Sequence, residues 1–214
     1  MIWAMAATAA AAIAHLWLLV PRLPPPATEP GEVPPDYRSL ASRTGLVVVA
    51  LAAGASWLLV APAPAEAPAW FGYLGGGSVL AWVDLRTTYL PRRLHYIVLA
   101  QVAAGLAWLA VTHWMVAAAA LAGGLAAAGL LWLVWRRGGS LGFGDVRLGL
   151  LTGAMGATMG LAGWIWSLMA GSLVGLVLAV THTLRRRHTS LPTYFAYGPA
   201  LWLGPVITAV VSGW

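Results

Sequence analysis

Cysteine is absent from this chain. No disulfide, thiolate zinc site, iron–sulfur cluster or cysteine nucleophile is therefore available. Charge is also scarce: 8% of residues are charged, where soluble domains carry about a quarter. The basic residues number twelve, every one an arginine, against six acids, for a net charge of +6. In a soluble protein that balance would point to nucleic acid. In so apolar a chain it records membrane orientation, and no nucleic-acid partner is expected. The serines and threonines show no G-x-S-x-G or comparable nucleophile setting, and no internal repeat is found. No basic residue precedes Arg22, so the apolar start reads as a retained first helix rather than a cleaved signal peptide.

What is present is hydrophobic surface, at 60% of 214 residues. A soluble chain of this size has too little core to hide it, whereas lipid solvates apolar faces directly. A membrane-spanning helix needs ~20 apolar residues. Apolar segments near that length, uncharged apart from Arg147 at the start of the sixth, run over 2–20, 45–63, 67–83, 95–112, 114–135, 146–162, 163–181 and 194–213. The expectation is an all-α, polytopic membrane protein with about eight transmembrane helices. The stretch 146–181 is too long for one span and is divided near Gly163. Residues 1–44 comprise the first helix and a Pro-rich, acidic-polar linker over 21–44, expected to be extended and coreless; 45–214 form the membrane domain.

The arginines set the sidedness. They fall at 22, 38, 43, 86, 92, 93, 136, 137, 147 and 185–187, all in alternate connections. The intervening connections, near 63–67, 113 and 162–163, hold none. By the positive-inside rule the arginine-bearing loops are cytoplasmic and both termini lie outside. Trp70, Trp82, Trp114, Trp135, Trp202 and Trp214 stand near the expected span ends, where indoles favour the interface.

Of the acids, Glu29, Glu32 and Asp36 lie in the linker and Glu66 in a short external loop, which leaves Asp84 and Asp145 against the spans. Ionisable residues there are costly and are functional candidates. Asp84 ends the third span and Asp145 begins the sixth, so both are expected at the cytoplasmic edge on different helices. Two adjacent carboxylates share one proton. One then draws a proton from water while the other polarises a carbonyl, as hydrolysis without a covalent intermediate requires. A structural role competes for each: Asp145 as a helix N-cap, Asp84 paired with Arg86.

Three segments carry a family resemblance: WVDLRTTYLPRRL (82–94), GFGDVRLG (142–149) and AYGPALWLG (196–204). In this order they resemble the type IV prepilin leader peptidases, within the GxGD class of intramembrane aspartic proteases. The likeness covers roughly residues 68–205. It implies Asp84 and Asp145 as the catalytic dyad, with Gly142, Gly144, Arg147, Pro91, Gly198 and Pro199 shaping the site or binding substrate. Gly142 and Gly144 would allow an unusual backbone before Asp145, and Gly198-Pro199 would shape the start of the last helix.

The resemblance further implies a prepilin-like substrate, with a short basic leader followed by a long apolar helix, cut at the cytoplasmic face of the cell membrane. The serving apparatus would be a type IV pilus or protein-secretion system. Two features depart from the family. The cysteine-containing region associated with methylation is replaced by the 21–44 linker, so peptidase activity without a methyltransferase is expected. Arg147 stands where Lys is more usual and is expected to act electrostatically. No cofactor is implied. The histidines at 15, 95, 113, 182 and 188 have no metal-ligand spacing, and no metal is expected. Anionic lipid would absorb some of the loop charge. The competing functions are a proton-coupled carrier and a non-catalytic assembly scaffold.

Overall fold

The computed structural model describes residues 1–26, 34–138, 141–186 and 195–213. Glu29, Glu32, Arg187, His188 and Trp214, named above, lie outside the described residues. The described chain is helical, with no strand. Its elements are α1 (Ile2–Ala14, continuing through a π turn and a 3-10 turn to Arg22), α2 (Tyr37–Leu40), α3 (Arg43–Val60), α4 (Ala67–Thr87), α5 (Arg92–Gly138), α6 (Phe143–Thr158), α7 (Gly160–Arg186) and α8 (Gly198–Ser212).

Among the described residues, four helices are long and apolar enough to cross a membrane: Ile2–Arg22, Arg43–Val60, Arg92–Gly138 and Gly160–Arg186. By length and composition they make this a membrane protein. Large apolar side chains on α5 and α7 are left exposed, among them Val111, Leu121, Leu161 and Leu173, which suits lipid as the solvent. At 47 residues, α5 would run ~70 Å if straight, over twice the ~30 Å hydrocarbon thickness. It is broken at His113, whose φ of −136° and ψ of 56° are not helical.

Close contacts give the direction of each segment. In the first half of α5, Gly105 meets Ala69 and Gly72 meets Gln101 and Val102, so this half runs antiparallel to α4. In the second half, Gly123 meets Ala157, Gly124 meets Leu150 and Leu131 meets Gly149, so this half runs antiparallel to α6. The chain therefore folds back at His113. The bend falls where the expected spans divide, at a residue flanked by two apolar runs. Elsewhere Gly54 meets Met5, Gly75 meets Thr8, and Gly171 meets Ala200. Apart from short α2, successive helical segments alternate in direction. Every described arginine accordingly lies at one end of the bundle.

Four expectations are corrected. The division of 146–181 falls at Met159–Gly160, not near Gly163. Gly160 takes φ +80°, a conformation open to glycine without steric cost, and this ends α6. Gly163 lies buried within α7 against Met159 and the Gly156 carbonyl. The linker is not extended throughout: the Asp36 carboxylate accepts from Arg38 N at 3.0 Å, capping α2, which buries Tyr37 and Leu40. Trp70 and Trp202 are buried in the bundle rather than at an interface, while Trp114 and Trp135 are exposed. The last helix starts at Gly198, not at 194.

Polar groups inside the bundle tie α4, α6 and α8 together. Pro205 sits inside α8 and has no N–H to offer the Leu201 carbonyl one turn back. Thr152 on α6 fills that place, its hydroxyl donating to Leu201 O at 3.1 Å. Tyr73 on α4 donates to the neighbouring Trp202 carbonyl at 2.8 Å, and the Trp202 indole donates back to Tyr73 O at 3.3 Å. Thr152→Val is expected to cost about 1–3 kcal/mol, the usual penalty for stranding a buried acceptor. Adding Pro205→Ala restores an N–H to the same carbonyl, so the double variant should lose less than the two singles combined. Thermal unfolding of the four proteins in one detergent measures this; strict additivity would refute the shared carbonyl.

Glu66 stands at the opposite end from the arginines, half-buried at the start of α4, with Oε2 unpartnered among the described residues. Burial pushes its carboxyl up from 4.5 to about 7, with the neighbouring Trp70 opposing the shift. A carboxyl raised on folding contributes stability that is full below about pH 4.5 and lost as pH climbs through about 7. The midpoint of thermal unfolding should thus be lower at pH 8 than at pH 5, and Glu66→Gln should flatten that difference.

Candidate functional site

At the arginine-bearing end, two helix termini each carry one buried aspartate. Asp84 lies in the last turn of α4 and is 3% exposed; Asp145 lies in the first turn of α6 and is 8% exposed. They are within Coulombic reach of each other. Sequence spacing placed them on different helices, and the fold brings them together.

Each carboxylate is held through Oδ2 by a backbone N–H. Gly198 N, at the start of α8, donates to Asp84 Oδ2 at 2.7 Å. This bond joins residues from opposite halves of the chain, and it uses one of the orphan donors that every helix N-terminus presents. A Cβ at position 198 would lie 2.7 Å from that oxygen and 3.1 Å from the Asp84 Cβ and Cγ. Only glycine lets the backbone come so near. Gly142 N donates to Asp145 Oδ2 at 3.1 Å. Asp145 is therefore the third residue of α6, with Gly142 as the N-cap, rather than preceding the helix. An acid in the first turn also suits the helix dipole. Oδ1 of neither carboxylate carries a hydrogen bond among the described residues.

Gly142 and Gly144 were expected to hold an unusual backbone, and they do not. Gly142 is ordinary extended chain at φ −72° and ψ 146°, and Gly144 is helical. Gly144 matters for packing instead: a Cβ there would lie 2.7 Å from Leu90 Cβ. Pro91 precedes α5 and its carbonyl accepts from His95 N at 3.0 Å. Pro199 lies in the first turn of α8, where a missing N–H costs nothing.

Arg147 projects from α6 to the loop after α4. Its Nη2 donates to the Leu90 carbonyl at 3.2 Å, its guanidinium stands 6.0 Å from the Phe143 ring centre, and Nε and Nη1 find no partner among the described residues. Arg86 does not pair with Asp84; it lies over the Trp82 ring at 5.5 Å. Leu90 is the residue that sequence reasoning missed, since a backbone acceptor has no signature in side-chain identity. His95 is also buried here, 1% exposed, with Nδ1 unpartnered among the described residues. Among the described residues, no three metal-ligating side chains converge.

The expected site residues thus gather around two points, the Asp84–Gly198 contact and the Asp145–Gly142 cap, bridged by Arg147 and Leu90. Comparison of the chain with known protein families, with curated proteins and with solved structures finds no match.

Proposed function

We propose that this protein is a membrane aspartic endopeptidase that removes the basic leader from prepilin-like proteins. The observation that carries the reading is the pair of buried carboxylates on separate helices, each anchored by a backbone N–H at Oδ2. Anchoring fixes the orientation of both groups before substrate arrives, which is how positioned acid–base groups act. The ionised partner takes a proton from water, the resulting hydroxide adds to the scissile carbonyl, and the protonated partner hydrogen-bonds to the carbonyl oxygen. Transfer of a proton to the leaving nitrogen then breaks the C–N bond, without a covalent enzyme intermediate. No cofactor is needed for these steps.

In this reading the alternating segments are eight membrane spans, with both termini outside. The positive-inside rule puts the arginine end in the cytoplasm. The dyad then lies at the cytoplasmic face of the plasma membrane, where the apolar helix of a prepilin emerges from the bilayer. The product would serve a pilus or secretion system, and membrane lipid is the surrounding partner.

The test is cleavage. The wild-type protein is co-expressed with each prepilin-like protein of the same genome, and the substrate mass is measured in isolated membranes. Loss of the leader mass from at least one candidate is expected. If none is cut, the peptidase reading falls and the scaffold and carrier readings replace it.

A further inference from the structure

We infer that Arg147 is a positioning residue: it closes a hydrogen-bonded strap that fixes the Asp84-bearing arm to the Asp145-bearing arm. The catalytic consequence rests on the peptidase reading, whereas the strap is a property of the fold.

The strap can be followed bond by bond. Thr88 N donates to the carbonyl of Asp84 itself at 2.7 Å. Thr87 Oγ1 donates to Val83 O at 2.7 Å and accepts from Tyr89 N at 3.2 Å. Leu90 O accepts from Arg147 Nη2 at 3.2 Å, and Arg147 follows Asp145 by two positions on α6. Side-chain packing reinforces the last link, because Leu90 rests directly on Gly144.

Two observations argue that the loop is constrained rather than merely present. Thr88 takes φ +58°, which is unfavourable for a β-branched residue. Such a conformation persists only where its surroundings over-determine it. In addition, α4 and α6 share few direct contacts: α4 packs mainly against α5 and α3, and α6 mainly against α5 and α7. The strap and α8, which packs against both helices and holds Asp84 through Gly198, link their aspartate-bearing ends. The bond to Leu90 is also what aims the guanidinium, given that Nε and Nη1 have no partner among the described residues. Arg147 therefore does more than place a charge near Asp145. It is the point at which the Asp84 arm is tied down.

The absence of cysteine makes the experiment direct. Leu85→Cys and Leu141→Cys place one spin label on each arm, and dipolar electron paramagnetic resonance reads their separation in lipid nanodiscs. Arg147→Met should broaden or shift the distance distribution, and Arg147→Lys should largely keep it. With a cleavable substrate, Arg147→Met should lower kcat by about 10²-fold, the cost of a small misplacement, with KM little changed and Lys restoring most of the rate. An unchanged distance distribution in Arg147→Met overturns the strap, whatever happens to activity. If Arg147→Met does not fold, Gly144→Ala pushes Leu90 from the other side with every charge in place. It must move the distances too, and failure to do so overturns the inference. Displaced arms in a protein that cleaves nothing would uphold the strap and defeat the peptidase reading.

Discussion

Asp84→Asn and Asp145→Asn are each expected to abolish leader removal while leaving the bundle folded. Asparagine keeps the size of the side chain and an acceptor oxygen. Gly198 N can still donate to position 84 and Gly142 N to position 145, so the anchors seen at 2.7 and 3.1 Å survive. What is lost is the proton exchange between carboxylate and water. A positioned acid or base contributes about 10²–10⁴-fold to rate, which would take product below detection in a membrane assay. The same membranes should give wild-type thermal unfolding for both variants, which separates lost chemistry from lost structure. If either variant cleaves at a rate near wild type, the two-carboxylate mechanism is wrong even where the substrate is right.

Gly198→Ala should come close to the same loss without touching an ionisable group. The added Cβ would lie 2.7 Å from Asp84 Oδ2, too near for any rotamer of that carboxylate to keep its bond to Gly198 N. Either α8 retreats or the carboxylate turns away, and the dyad geometry changes by a substantial fraction of an ångström. Displacements of that order cost about 10²-fold in rate. The fall should appear in kcat more than in KM, because the interaction lost belongs to the transition state rather than to ground-state binding. Pro199→Ala is the matched control, one residue along in the first turn of α8, and is expected to retain near wild-type turnover. Equal losses in both variants would assign the effect to the helix start as a whole and not to the carboxylate contact.

Much of this architecture is legible in the linear chain because membrane folding is governed by composition. Apolar runs, scarce charge and arginines in alternate connections carry the helical class and the approximate segments. They also anticipate that every described arginine gathers at one end, since successive segments reverse direction. Boundaries are less legible. Gly160 and Gly163 look alike in the sequence, and only the φ of +80° at Gly160 distinguishes the turn from a helical packing position. Trp70 and Trp202 resemble interfacial residues until the packing of the bundle buries them.

The candidate site divides the same way. The sequence by itself determined which residues are chemically notable: two acids beside apolar spans, glycines just before the second, and an arginine after it. It also excluded thiol chemistry outright. Tertiary structure alone decided that Gly198 approaches Asp84, 114 positions away. It decided too that Asp145 belongs to the first turn of α6, and that Arg147 reaches the Leu90 carbonyl rather than simply charging the loop. The physical reason is that these contacts use backbone N–H and C=O groups, which every residue carries alike. Their pairing depends on where helix ends meet in space, and side-chain order does not encode that directly.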